Sequence, residues 1–312
     1  MEVGQSRKVI TFLYSENFFR KQSVDVLNIL VGIGFSGAAY AMVLYMTSVG
    51  LSVTMGLLGV ANLAHGAFAM AGGYFLVTFM DQLGLPFGFS VLLACVSVGL
   101  ISLILERTLY SRVYRGTELD QVVLSMGLIF MATAVAHVEF GAQPVRVALP
   151  DLLNGQLTLG SYSFPLYRLF LICAGLCVFG MLWVAIEKTL VGARIRAAVD
   201  NRAMAEATGM NSRKMFAIVF ALGSVLAALG GSLGAEVMAI EPEYALKHLV
   251  YFLIVVAVGG LGSVKGPFFA ALLLGVGDSA CKILAPEFGG IFIYVALFIL
   301  LLIRPNGLFG RV

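Results

Sequence analysis

Hydrophobic residues fall in long blocks along this chain, separated by short polar connections. Residues 26–49, 62–80, 87–105, 121–138, 166–186, 215–238, 246–261, 267–284 and 290–303 are each apolar over most of their length. A helix crosses the hydrocarbon core with about 20 such residues, because each adds about 1.5 Å and all backbone polar groups are satisfied inside the segment. The pattern predicts an all-α polytopic membrane protein with eight or nine transmembrane helices. The count turns on residues 51–63, an apolar stretch too short for a span and punctuated by Gly56 and Gly59. If it ends a crossing, nine helices put the N-terminus outside; if it re-enters, the parity changes and the N-terminus is cytoplasmic.

The polar connections orient the blocks. Residues 106–120 carry Arg107, Arg112 and Arg115, and Lys188, Arg194, Arg196, Arg202, Arg213 and Lys214 form the largest basic cluster in the chain. Residues 139–164 hold Pro144, Pro150, Asp151, Asn154 and Gly155 but a single basic residue, Arg146. Basic loops stay in the cytoplasm, which places the first two regions inside and 139–164 outside. Residues 1–24 are a separate tail in which Arg7, Lys8, Arg20 and Lys21 alternate with Phe12, Leu13, Tyr14, Phe18 and Phe19. That mixture suits an amphipathic helix in the membrane interface or an unstructured end, and it lacks the apolar core and small-residue site of a cleaved signal peptide. Residues 25–312 read as one transmembrane domain.

Composition agrees with the pattern. The 312 residues are 60% hydrophobic and 12% charged, where soluble domains carry about a quarter charged residues. Mean hydropathy is +0.97. No length is left for a folded soluble domain, and a net charge of +3 gives no reason to expect nucleic acid. Cys95, Cys173, Cys177 and Cys281 all lie in apolar runs and are expected to be small buried hydrophobes.

Motifs of catalysis are missing. No Gly-x-x-x-x-Gly-Lys-Ser/Thr loop, His-Glu-x-x-His or Gly-x-Ser-x-Gly occurs, and His65, His137 and His248 are far apart in sequence. We therefore expect no catalytic residue, no metal site and no cofactor in this chain. Ionisable residues inside the spans are few: His65, Glu236, Asp278 and Lys282. Asp278 and Lys282 are spaced i, i+4 and are expected to pair. The chain of carboxylates that an ion-coupled carrier uses is lacking, so transport energy is expected from elsewhere.

Glycine, 36 residues in all, is often spaced small-xxx-small, as in Gly230/Gly234, Gly262/Gly266 and Ala69/Gly73, a spacing that lets helices approach closely in lipid. Two apolar segments are broken by glycine, at 56–66 and 259–266. Paired interruptions of this kind expose backbone dipoles to a solute at membrane depth. Asn62, His65 and Gly66 in the first, with Gly259, Gly260 and Gly262 in the second, are the candidate solute-path residues; capping or an interhelical hydrogen bond is the other reading of Asn62 and His65. Residues 192–214 are the charged island. Its stretch 194–208 is rich in alanine, Gly209 suits a left-handed helix stop, Met210 its follow-on contact and Asn211 the cap of the next helix. A short cytoplasmic helix, a sharp turn and a transmembrane helix are predicted.

Glu206-Ala207-Thr208-Gly209, in a charged loop ahead of a span, resembles the Glu-Ala-Ala and downstream Gly signature of ABC importer permeases, with Thr208 in place of the second Ala. Five ordered blocks extend the likeness: GLLGVANLAHGAFAMAGGY (56–74), VALPDLLNGQLTLG (147–160), GARIRAAVDNRAMAEATGMN (192–211), VGGLGSVKGPFFAALLLG (258–275) and RPNGLFGR (304–311). Together they resemble the branched-chain amino acid ABC permease family, over nearly the whole chain beyond residue 24. Many relatives carry an acidic residue after the His-Gly pair; here Ala67 stands there.

The resemblance implies an ABC importer permease fold in the bacterial cytoplasmic (inner) membrane. It implies a second related permease subunit (a heterodimer, with a homodimer as the other arrangement), two cytoplasmic ATP-binding subunits that hold ATP and Mg, and an external solute-binding protein met by residues 139–164. On this reading the island is the coupling helix. Glu206 and Gly209 carry over from the motif, and Arg194, Arg196, Asp200 and Arg202 are added as polar contacts to the ATPase. The family also includes permeases for urea and short amides. A weakly polar path favours a net-neutral solute, aliphatic amino acids first and urea or amides second. A stand-alone channel or ion-coupled carrier is the reading of another class.

Overall fold

The chain was analysed as a computed structural model. It describes the backbone of residues 3–309 except 60–61, 115, 160–161, 201, 208 and 305–306, and the side chains of the same residues except 3–27, 57–58, 159, 199–200, 202–203 and 212. Helix α1 (Val3–Leu58) runs 56 residues without a break, so the tail and the first crossing share one helical axis. Stretch 51–58, expected to end or re-enter, continues α1 because no proline interrupts it, and the helix stops where Gly59 takes φ +62. The apolar faces expected for residues 1–24 lie outside the described side chains.

Helix α2 (His65–Asp81) follows the first glycine break. Helix α3 (Phe87–Leu105), started by Pro86, passes through a π-helical turn (Glu106–Tyr110) into the short α4 (Ser111–Val113). Helix α5 (Glu118–Phe140) begins at a capping box: the Asp120 amide donates to Thr117 Oγ1 at 3.3 Å and the Thr117 amide to Asp120 Oδ2 at 2.8 Å, which satisfies two of the free amides at a helix start. Strands β1 (Gln156–Leu159) and β2 (Tyr162–Pro165) pair antiparallel, Gln156 opposite Pro165. This hairpin closes the loop 139–164, reaching one residue past it at Pro165, and is a small departure from an all-α chain.

Helix α6 (Leu166–Trp183) ends in a second π-helical turn (Val184–Lys188). The island follows as α7 (Leu190–Asp200) and α8 (Arg202–Ala207), then α9 (Ser212–Gly234), α10 (Tyr244–Gly259), α11 (Lys265–Leu284) and α12 (Phe292–Ile303). Among the described residues six helical stretches are long and apolar enough to cross a membrane: Asn28–Gly56, Phe87–Val113, Glu118–Phe140, Leu166–Lys188, Arg213–Gly234 and Lys265–Leu284. Helices α2, α10 and α12, with 17, 16 and 12 residues, are shorter than a full crossing.

Helix α9 sits at the centre, packed on α1, α2 and α3, and α1 also meets α10 and α11. Lipid gives no hydrophobic force between helices, so contact depends on small residues. A Cβ at Gly231 would lie 1.9 Å from the Ala69 carbonyl oxygen, and one at Gly230 would lie 2.7 Å from the Thr47 nitrogen. Gly230 and Gly234 both face α1, as their spacing predicts. Ala69 faces α9, whereas Gly73 faces Ile240 in the segment after α9. Asp278 and Lys282 form the expected pair at 2.6 Å.

The cysteines correct the sequence expectation. Cys95 is buried, but Cys173 and Cys177 are exposed on α6 and Cys281 is half-buried. A membrane helix can leave an apolar side chain outside the protein core, because lipid solvates it; α6 uses that freedom, with only 11% of its apolar window buried.

The molecule has two distinct ends. Arg168 donates to the Ser36 hydroxyl, and the rings of Phe35 and Phe164 lie 4.7 Å apart, so the hairpin covers the Asn28 end of α1. The island, the π-helical turns and Gly56 lie at the other end.

Candidate functional site

Where the sequence predicts a single helix over 194–208, the island forms two, α7 and α8, and the turn after them folds as its residues dictate. Ala205 O accepts from the Met210 amide at 3.1 Å and Glu206 O from the Gly209 amide at 3.0 Å, with Gly209 at φ +86. Those two bonds are the Schellman pattern, which satisfies the last carbonyls of a helix and needs a left-handed residue at its end. Asn211 Oδ1 then accepts from the Lys214 amide at 3.0 Å and caps α9. Arg194, Glu206 and Gly209 are exposed. Arg196 is half-buried and donates to the Ile186 carbonyl, holding α7 against the second π-helical turn. Asp200 and Arg202 lie in α7 and α8 by backbone, their side chains outside the described set. Beneath the charged surface Ile195, Ala198 and Ala205 are buried, which seats the island on the helices.

A contact that sequence reading missed joins the island's neighbourhood to the second glycine break. Lys265, the first residue of α11, lies 3.1 Å from Glu187 in the turn after α6 and 5.4 Å from the Trp183 ring centroid. No spacing rule links residues 78 positions apart.

Both glycine breaks form, and they meet. Gly260 and Gly262 take φ +94 and +76. Gly262 donates its amide to Ser52 O at 3.2 Å, and the Ser52 hydroxyl donates to Ser263 O at 3.1 Å. Gly259 closes on the start of α11, a Cβ there lying 2.4 Å from the Pro267 nitrogen. In the first break Asn62 is buried and accepts from the Tyr110 hydroxyl at 2.8 Å, while His65, fully buried, lies with Nε2 2.7 Å from Thr47 O. A Cβ at Gly66 would stand 2.5 Å from Ala245 O. Asn62, His65, Gly66 and Gly259 therefore sit in close contacts with neighbouring elements, Gly260 and Gly262 form the turn between α10 and α11, and Tyr110 and Thr47 are partners that the sequence did not indicate.

A cavity of about 540 Å3 opens on another side of α2, between α2, α3 and α5. Ala67, Ala71, Phe75 and Thr78 line it from α2, and Leu128, Met131, Ala132 and Val135 from α5.

Long apolar helices and a charged turn held outside them are the parts of a multi-pass membrane permease. Residues 33–301 match the family described as the permease component of branched-chain amino acid transport systems, and the chain belongs to that family. It is 26% identical over 292 residues to the high-affinity branched-chain amino acid transport system permease protein BraD of Pseudomonas aeruginosa, covering 88% of this chain and 92% of that one. The LivH permease protein of Escherichia coli is 27% identical over the same shares. The probable LivH of Methanocaldococcus jannaschii is 25% identical over 87% of this chain and 90% of its own. Among solved structures, PsaBC from Streptococcus pneumoniae in complex with Fab covers 86% of this chain and 89% of that one, at 13% identity and a TM-score of 0.49.

Proposed function

We propose that this chain is the permease subunit of an ATP-driven importer that carries branched-chain or other aliphatic amino acids across the bacterial cytoplasmic membrane. The observation that carries the proposal is the capped turn from Ala205 to Lys214, an exposed helix end joined with a single residue between caps to α9, the most centrally packed helix. A load on Glu206 or Gly209 passes into α9 through the Asn211 cap. A load on α7 passes through the turn after α6 to Lys265 and the start of α11. A partner ATPase seated on Arg194, Arg196, Asp200, Arg202, Glu206 and Gly209 would thus move two helices that border the glycine breaks. ATP and Mg belong to two such cytoplasmic subunits, and this chain holds no cofactor. A second permease subunit and an external solute-binding protein, met by residues 139–164 and their hairpin, complete the complex.

The family and the relatives named for branched-chain amino acid transport support the choice of solute. The test is reconstitution in liposomes with a related permease, two ATPases and a binding protein. Labelled leucine should enter only when ATP and the ATPases are present. Leucine flux through this chain alone would instead make it a channel or carrier, and competition by urea or acetamide but not by valine would move the solute to the amide class.

A further inference from the structure

We propose that the basic cavity between the π-helical turn after α3 and the start of α9 holds the headgroup of an anionic phospholipid of the cytoplasmic leaflet. The headgroup is a phosphodiester with a free hydroxyl, the chemistry of phosphatidylglycerol, and the acyl chains lie on exposed apolar stripes of α3 and α9 that continue from the cavity. The inference concerns a lipid partner and holds whichever solute the protein carries.

Three observations carry it. First, the cavity is cationic. It has a volume of about 770 Å3; Arg107 and Arg112 line it from the π-helical turn and α4, Arg213 and Lys214 from the first turn of α9, and Glu106 is the one carboxylate among the described lining residues. All four basic residues are exposed, and none of them forms an ion pair among the described residues. The guanidinium fork of arginine fits two phosphate oxygens at once, and lysine adds a point charge. Helix α9, 23 residues long, starts here, so the positive end of its dipole adds to the same field. Basic pockets between transmembrane helices on the cytoplasmic side are where anionic headgroups bind.

Second, a buried acceptor stands in the same cavity. Glu106 is 1% exposed, and its Oε1 has no hydrogen-bond partner among the described residues; Tyr114 stands nearby but makes no hydrogen bond to that oxygen. A buried polar atom left unpaired costs free energy. A phosphodiester has no proton to donate to it, whereas a headgroup hydroxyl has. A glycerol headgroup therefore satisfies both the cations and the carboxylate. Phosphatidylethanolamine would instead bring its ammonium among four cations.

Third, the cavity continues into apolar surface. Leu100, Ile104, Arg107 and Ser111 follow one another at steps of four, three and four residues, and Lys214, Ile218 and Leu222 at steps of four. Residues so spaced share a helical face, and both sets begin in membrane-spanning stretches. Leu100, Ile104, Ile218 and Leu222 are all exposed. Val225, one turn beyond Leu222, packs on Gly99 of α3, which sets the α9 stripe beside the seam with α3. An amphiphile with an anionic head and two chains matches this order of basic cavity and apolar stripes. An acidic protein surface matches the cavity alone.

The test uses the purified transporter with its partner subunits, in phosphatidylcholine vesicles that hold a small fraction of phosphatidylglycerol bearing a photoreactive diazirine in one acyl chain. Light should attach this lipid to residues 100–104 and 218–222 several-fold more than to α5 around Val123, which is exposed near the acidic start of that helix on the same side of the membrane. Unlabelled phosphatidylglycerol should compete, and phosphatidylethanolamine should not. Arg107→Gln and Arg213→Gln, recovered in wild-type amount, should each lower the yield at α3 and α9 about fivefold, the worth of one cation at an anionic membrane surface, and leave the yield at α5 unchanged. Equal yields at all three places would mean that the general surface potential alone draws the lipid, and the inference falls. Equal competition by phosphatidylethanolamine, or displacement by inorganic phosphate at matched ionic strength, would overturn the choice of headgroup. Labelling that appears only after the ATPase subunits are stripped away would make the cavity their docking surface and overturn it as well. The lipid competition needs no substitution and decides the question without either variant.

Discussion

Gly56 and Gly262 touch backbone to backbone: a Cβ added to Gly56 would lie 2.0 Å from the Gly262 nitrogen. The first lies near the end of α1 and the second in the turn before α11, and the Gly262 amide donates to Ser52 O across the same seam. Two glycine-broken segments separated by some 200 residues of chain thus form one joint at the island end of the molecule.

That joint makes a sharp prediction. Gly56→Ala forces a methyl group into a backbone that cannot yield as a side-chain tip would, and the overpacking costs about 1–3 kcal/mol or more. Gly32→Ala, in the same helix but with nothing within 4 Å of the new Cβ, is expected to be neutral or to stabilise by about 0.5–1 kcal/mol through lower chain entropy. Thermal unfolding of the two variants in detergent should move in opposite directions or differ by several degrees; equal melting points would show that the seam accommodates a methyl group.

Much of this architecture was legible in the sequence. Apolar blocks gave the long helices, and Gly209 with Asn211 gave the turn between α8 and α9 because capping is a local property of a few residues. The meeting of Gly56 with Gly262, the Tyr110 partner of Asn62 and the Glu187–Lys265 pair were not legible, since each joins residues distant in the chain. The cavity between α2, α3 and α5 was hidden for another reason. Its stripe from Ala67 to Thr78 lies on a helix that is apolar all round, where no change of polarity marks the side that lines a cavity. Cys173 and Cys177 misled because apolar means buried in water but not in lipid.

The Asp278–Lys282 pair is unequal: the Lys282 side chain is 58% exposed and that of Asp278 is 3%. Lys282 also lies 5.5 Å from the Tyr40 ring centroid. Lys282→Ala leaves a buried carboxylate without its cation, whereas Asp278→Asn leaves an ammonium that can reach solvent. Removing the partner of a buried charge is the costlier change. Lys282→Ala should therefore lower the melting temperature more than Asp278→Asn, and the double variant should recover part of the loss. The reverse order would mean that Asp278 is hydrated in the membrane protein.

The turn at Gly209 should separate stability from coupling. Gly209→Ala places a Cβ at φ +86 and costs about 1–2 kcal/mol locally, and Asn211→Ala removes a cap worth about 1 kcal/mol. Both are confined to the island end, so the complex should still assemble while ATP hydrolysis becomes less tightly linked to uptake. The ratio of leucine moved to ATP hydrolysed is the measurement, with Glu206→Arg expected to give the largest fall. An unchanged ratio in all three variants would remove the island from the coupling role.

The bond between Tyr110 and Asn62 joins the π-helical turn after α3 to the break before α2, and both side chains are buried. Tyr110→Phe removes the donor and leaves the Asn62 oxygen without it, so the cost is about 1–3 kcal/mol, the penalty of an unsatisfied buried group. Asn62→Leu strands the tyrosine hydroxyl in the same way. When both are replaced by apolar side chains no polar atom of the pair is left, and the double variant should be less destabilised than the sum of the two single changes. A double-mutant cycle on unfolding free energy isolates that interaction. A coupling energy of zero would show that the two groups are solvated separately.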